Sequence, residues 1–334
     1  MVACPKPTVP RAGHRLRWPK RFAAALLLPL MLVAATTCPP QPPKPVGFGL
    51  MQFAGFTDSR TWDDPRALGV NRLFTWADLE PSEGRYDWSE FDVLIDIARA
   101  KGKRLSPRVY TNMDAWGQAT PDWVFDAGAA SYRSTSGSER QPVPMDPVFT
   151  EKFSRFLEAM ASRYDGNPNI EFIQTNAGMG EFGEIIWAYP REYLPPGWSP
   201  EVQIETSKQW IDRWRALFPR THLVLMENFI GENIAETVTA YAVDRGFYLQ
   251  ANDTYLPRES QAILAAYAHR TRIVLEVEHG GCQSAEGQAF DDMTATVFGY
   301  GFPVDYLMVC EQTFDDAART QGAIDRLRKD DAIP

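Results

Sequence analysis

From residue 46 onward, short apolar runs alternate with longer segments whose apolar residues recur at helical spacing. The runs read as strands at 46–53, 71–75, 105–110, 170–176, 223–227, 247–252, 273–278 and 306–311. Between them, helical stretches are clearest at 91–101, 150–164, 200–218, 234–244, 260–269 and 288–299. In the second of these, Phe153, Phe156, Leu157, Met160 and Tyr164 follow at steps of 3, 1, 3 and 4, which lines one helix face. Eight successive strand-then-helix units predict an α/β fold, a single (β/α)8 TIM barrel over 46–334. The first unit is the least regular, with only a short helix expected near 65–68.

Loop lengths support the same fold independently. Helix-to-strand returns are short, at 102–103, 165–169, 219–221 and 246, whereas the strand-to-helix loops at 111–147 and 177–199 are long. In such barrels the strand-to-helix loops build the C-terminal rim, where active sites sit. Both long loops are rich in aromatic residues: Trp116, Trp123, Tyr132, Trp187, Tyr189, Tyr193 and Trp198. Such rings suit stacking on sugars, although any one of them is more simply a residue that packs its loop down.

The run from Arg272 to Gly281 organises the candidate chemistry. Alternation puts Ile273, Leu275 and Val277 on one strand face and Val274, Glu276 and Glu278 on the other. Two carboxylates on a buried face are costly unless a partner or a substrate meets them. Either arginines hold them in an ion-pair network, or Glu278, last before the turn, is a catalytic carboxylate. The same parity groups Ser106, Arg108 and Tyr110 on the third strand, Gln174 and Asn176 on the fourth, and Gln250 and Asn252 on the sixth. Glu227 ends the fifth strand and Glu311 the eighth. A barrel filled only by core residues would be aliphatic there, so a polar, acidic mouth is expected.

The first 37 residues change the picture of where the chain works. They hold six basic residues and no acid, then an apolar run over 22–35 that is too short to span a bilayer comfortably. This is the order of a secretory signal, here 1–37, followed by a Pro-rich linker at 38–45. Export to the periplasm, cell surface or exterior is the expectation, with a lipid anchor at Cys38 as the alternative. Loss of the signal would take the net charge from −9 to −15, a poor match to nucleic acid or an anionic membrane. Cys282 and Cys310 would be the cysteines left beyond Cys38, either paired in an oxidising compartment or buried as free thiols.

Several chemistries are poorly supported. There is no H-E-x-x-H, G-x-S-x-G or G-x-x-x-x-G-K-[ST], and the histidines are scattered singly. No cofactor or metal is therefore expected. Gly178, Gly180 and Gly183 spell G-x-G-x-x-G, but no helix opens there to offer its N-terminus to phosphate, and Glu181 and Glu184 lie where an anion would. These glycines instead suit close approach of a substrate, with the glutamates projecting into the mouth, unless the loop is simply solvated. Carboxylates beside aromatic walls point to glycosidic bond cleavage, which needs one acid for the leaving oxygen and one carboxylate opposite.

The segment FTWADLEPSEGRYDW at 74–88 resembles the W-x-x-L-E-P-x-E-G-x-Y-D segment of (β/α)8 glycoside hydrolases, the barrel-type β-galactosidases and xylanase-like enzymes. Pro121-Asp122-Trp123 is similar to their P-x-W after strand three, and Glu278-His279-Gly280 to the E-x-G that carries their nucleophile after strand seven. The resemblance covers most of 46–311. It implies a carbohydrate substrate, a two-glutamate mechanism of the retaining type, and Asn176 as hydrogen-bonder to a sugar hydroxyl. Those enzymes carry Asn-Glu at the end of strand four, whereas here Asn176 is followed by Ala177. The acid is thus assigned to Glu181, with Glu184 second, against Glu278 as nucleophile or base. A glutamate in a Gly-x-Gly-Glu loop is also similar to β-amylases, which invert. Asn176, Arg108, Trp76, Trp123, Tyr255, Glu227, Glu276 and Glu311 complete the expected substrate-binding set. The alternative is a non-catalytic glycan-binding barrel, a surface lipoprotein that has lost its acid.

Overall fold

The computed structural model describes residues 49–52, 57–112, 118–133, 140–177, 195, 197–227, 234–251, 256–276, 295–297, 299–315 and 317–330. The expected signal and linker, Cys38, Tyr255, Glu181, Glu184, Glu278 and Cys282 lie outside the described residues.

The strands are β1 (Gly49–Gln52), β2 (Ala67–Thr75), β3 (Arg104–Tyr110), β4 (Ser131–Arg133), β5 (Arg140–Pro142), β6 (Ile173–Thr175), β7 (Leu223–Glu227), β8 (Tyr248–Ala251), β9 (Ile273–Glu276) and β10 (Tyr306–Val309). All but β4 and β5 close into one parallel barrel, in the order β1, β10, β9, β8, β7, β6, β3, β2. The expected (β/α)8 fold is therefore the observed one. β4 and β5 form a separate antiparallel pair inside the long loop after β3.

Helices α1 (Trp76–Leu79), α2 (Ser89–Lys101), α3 (Asp122–Asp126), α4 (Pro147–Tyr164), α5 (Pro200–Leu217), α6 (Ile234–Val243), α7 (Arg258–Tyr267) and α8 (Ala317–Asp330) connect or follow the strands. Local signals explain their ends. Asp146 caps α4 by accepting from the amides of Val148 and Phe149, with Pro147 in the first turn, so this helix starts before the expected residue 150. Ser199 and Pro200 do the same for α5. Gly102 stops α2 at φ 64°, a left-handed conformation that glycine adopts without a Cβ penalty.

The first unit departs from expectation. Ala67 and Leu68 open β2, and among the described residues the helical turn before it is a 3-10 turn over Arg60–Trp62. Pairing of β2 with both β1 and β3 wins over the weak local preference around 65–68. The eighth strand also ends early, because Glu311 begins a 3-10 turn that runs to Asp315.

Alternation divides the barrel residues into two clusters. Leu105, Val109, Ile173, Leu223, Leu225, Leu249, Leu275 and Leu307 belong to the large outer core shared with the helices. Phe172, Val224, Met226, Tyr248, Val274, Tyr306 and Met308 form a smaller cluster in the bore. Near the N-terminal end of the bore, Phe172, Tyr248 and Tyr306 pack ring on ring, with centroids 5.1–6.5 Å apart. The Tyr306 hydroxyl donates to Glu171 Oε1 at 2.5 Å, and burial holds this phenol well above the ordinary tyrosine range. Arg272 is paired with Asp305 beneath β9, with both side chains largely buried.

Cys310, the residue after β10, is buried and disulfide-bonded. The paired state weighed for this cysteine is the one observed; the chain's other cysteines lie outside the described residues.

Candidate functional site

Two residues further along alternate strands of the barrel, the bore changes character. Above the aromatic layer, β2, β6, β8 and β10 contribute Asn71, Gln174, Gln250 and Met308, all fully buried. Interior layers of such barrels take four residues from alternate strands, and branched aliphatic side chains usually dominate. Here three of the four are amides, and they are hydrogen-bonded in series. Asn71 Nδ2 donates to Gln174 Oε1 at 3.0 Å and to the Ser106 carbonyl at 2.8 Å. Gln174 Nε2 donates to Gln250 Oε1 at 2.5 Å and lies 3.1 Å from Met308 Sδ. Gln250 Nε2 donates to Glu276 Oε2 at 2.8 Å. The Gln174 and Gln250 oxygens are each taken by the previous donor, so their N–H groups point onward, and the series reaches the Glu276 carboxylate.

Around this series sit further inward-facing polar groups. Arg108 is buried on β3 opposite Gln174, with its guanidinium 4.4 Å from the Tyr110 ring centroid. Asn176, following β6, is fully buried and donates through Nδ2 to the Val109 carbonyl at 2.8 Å, while its own carbonyl accepts from Trp214 Nε1 at 2.8 Å. Asn71 Oδ1 and Ser106 Oγ, which side by side line β2 and β3, are buried and have no hydrogen-bond partner. Arg108, Asn176 and Glu276 are thus all brought to the C-terminal part of the bore.

Ala177 takes φ 96°, and no other described non-glycine residue has a positive φ. Its methyl group is fully buried within the outer core. The strand parity explains this: Asn176 shares the inward face of Phe172 and Gln174, and the next residue turns toward the helices.

Other expected residues are placed differently. Trp76 was expected to position a sugar, but it is fully buried among Trp123, Phe149, Phe153 and Phe156, with centroids 5.0–6.1 Å away. Its Nε1 donates to Glu80 Oε2 at 2.7 Å. A ring with no exposed face cannot stack on a sugar, so Trp76 is a packing residue. The half-buried Trp123 is tied to the same spot, its Nε1 donating to the Glu80 carbonyl at 3.0 Å. Glu80 also accepts the Gly84 amide at 2.7 Å, and burial raises its carboxyl above the ordinary value, opposed by these two donors. The W-x-x-L-E segment therefore works here as a loop clamp.

Glu311 does not end a strand; its Oε1 accepts from Ser59 Oγ at 2.9 Å and from the Arg60 amide at 3.1 Å, which ties the end of the barrel to the loop after β1. Glu227 closes β7 opposite Ala251, and its side chain lies outside the described residues. Asn71 was missed as a site residue because a single polar position within an apolar strand carries no distinctive spacing. Gln174 and Gln250 were visible by parity, but their series of hydrogen bonds joins residues 26–103 positions apart.

Residues 67–186 match the β-galactosidase family. The curated β-galactosidase BbgII of Bifidobacterium bifidum is 32% identical over 121 residues, covering 33% of this chain and 17% of that protein. The chain thus spans less than a fifth of the length of that curated relative. Among solved structures, the β-galactosidase of the psychrophilic Marinomonas ef1 has a TM-score of 0.54 at 14% identity, covering 84% of this chain and 59% of that one. Xylanase 10B of Thermotoga petrophila RKU-1 has a TM-score of 0.50 at 10% identity, covering 78% and 81%. The parallel barrel fold is the one shared with these solved structures. At these identities the structural likeness speaks to fold, and the sequence match places the family resemblance within 67–186. The matched stretch contains both the Glu80 clamp and the Asn176-Ala177 junction.

Proposed function

We propose that the protein is an exported glycoside hydrolase that cleaves O-glycosidic bonds of an oligo- or polysaccharide. The observation that carries this reading is the polar end of the bore, where Glu276, Asn176 and Arg108 replace the aliphatic filling of an ordinary barrel. Glu278, two residues beyond Glu276, acts as nucleophile or base, and Glu181 as proton donor with Glu184 as its substitute. Asn176 and Arg108 support the floor on which the sugar lies, and Arg108 favours an ionised carboxylate near it. A retaining mechanism would need the two catalytic carboxyl groups about 5 Å apart, and an inverting one about 6.5–9.5 Å, to admit a water. The disulfide at Cys310 supports an oxidising compartment and hence export. Nitrophenyl glycosides and polysaccharides should be turned over by the full chain and not by Glu278→Gln at equal thermal stability. Retained turnover in that variant would refute the assignment.

One observation favours a second reading, a barrel that binds glycans without cleaving them. At the position where the resemblance calls for the acid, Ala177 is buried and turned toward the helices. That reading predicts glycan binding unchanged in Glu181→Gln and no turnover on any substrate.

A further inference from the structure

The amide series in the bore is an expense that packing alone does not explain. Burying three amides and a carboxylate is at best neutral against well-packed aliphatic residues. What the series does provide is direction. Asn71, fixed by the Ser106 carbonyl and Gln174, orients Gln174; Gln174 orients Gln250; Gln250 presents an N–H to Glu276 Oε2. Asn71, Gln174 and Gln250 have no exposed surface, while Glu276 retains 7%. The series therefore runs from the closed interior to a carboxylate at the floor of the mouth. Glu276 ends β9, directly opposite Met308 on β10, and shares its strand face with Val274 of the bore.

A carboxylate fixed in this way is an acceptor only, and a rigid one. It suits hydroxyl donors of a bound sugar and repels a second carboxylate or a sulfate. Arg108, the cation on the inward face of β3, is covered by the Tyr110 ring and only 2% exposed, so Glu276 presents the more accessible charge.

We propose that Glu276 is the specificity-determining acceptor at the floor of the mouth, selecting neutral sugars over uronic or sulfated ones, and that Asn71, Gln174 and Gln250 are positioning residues acting through it. This deepens the glycoside hydrolase reading and rests on it for the class of ligand. It needs no particular assignment of the acid.

The test is equilibrium titration of the full chain with non-hydrolysable nitrophenyl thioglycosides: the galactoside, glucoside and xyloside, and the uronides of galactose and glucose. The unaltered protein should bind at least one neutral glycoside roughly tenfold or more tightly than its uronide, as expected for like charges meeting at a partly buried site. Glu276→Gln should narrow that ratio to within about threefold, because the repelling charge is gone. Gln250→Met should weaken the neutral glycoside several-fold, yet have no further effect on affinity when added to Glu276→Gln. Coupled groups behave in this way, whereas a purely structural role for Gln250 would give the same loss in both backgrounds. Equal binding of neutral and uronide ligands, no binding of either, or additive losses would overturn the proposal. Binding with the expected selectivity but no turnover of the corresponding O-glycosides would instead overturn the hydrolase reading and leave this inference standing.

Discussion

Glu80 offers a sharp test of the clamp beneath the rim. Its two carboxyl oxygens accept Trp76 Nε1 and the Gly84 amide, both at 2.7 Å, and it is only 2% exposed. Glu80→Ala removes both acceptors and leaves the buried indole N–H without one. Hydrogen bonds to a charged group contribute about 1.5–3 kcal/mol each. Removal of a carboxylate that burial disfavours offsets part of the loss, so a net cost of about 3–5 kcal/mol is expected for Glu80→Ala. Glu80→Gln keeps one acceptor and turns an NH2 group toward the other donor, at about 1–3 kcal/mol. In a barrel of this size, 1 kcal/mol moves Tm by about 2 °C or somewhat more, which puts Glu80→Ala roughly 6–10 °C below the unaltered protein.

The pH dependence has a definite sign. The folded carboxyl holds its proton more tightly than the ordinary value of 4.5, with burial the leading cause. Glu80 therefore contributes most to stability below that ordinary value and progressively less as pH rises through its folded pKa. Urea unfolding of the protein and of Glu80→Gln between pH 4 and 8 should show their stability difference shrinking as pH rises. A Tm loss below about 2 °C for Glu80→Ala would refute the clamp, and a difference that grows with pH would show the two donors outweighing burial.

Three further outcomes follow from the same geometry. Ala177→Gly should raise stability by about 0.5–1 kcal/mol in chemical denaturation, since φ 96° is strained for any residue with a Cβ; a loss would show that the buried methyl matters more than the strain. Trp76→Phe should lower stability by about 1–3 kcal/mol by stranding the Glu80 oxygen, with glycoside affinity changed less than about twofold; weakened binding at unaltered Tm would return the ring to the substrate. Arg272→Ala should cost about 3–5 kcal/mol, because it leaves Asp305 buried without its cation; a loss under 1 kcal/mol, measured by urea unfolding, would mean that water replaces the guanidinium.

The period of the chain was enough to specify the barrel. Apolar runs of strand length, helical stripes such as Phe153 to Tyr164, and short returns beside long loops are all local properties, and they survive in the folded chain because each buries its own face. Parity was equally local: it puts Gln174, Asn176 and Glu276 on the inward face, and the strands keep that alternation. The parts that only tertiary structure decided depend on distance across the fold. Trp76 sits in a segment that resembles a sugar-binding neighbourhood, yet the packing of α4 against it buries the ring and turns its N–H onto Glu80. The stretch around 65–68 has a weak preference of its own, and pairing with two neighbouring strands draws it into β2. Glu311 follows a strand in sequence but is claimed by Ser59 and Arg60 from the far end of the chain. Likewise, the line from Asn71 to Glu276 is assembled from four strands, and no spacing in the sequence announces it, because hydrogen bonds across a closed barrel join residues that the chain itself keeps far apart.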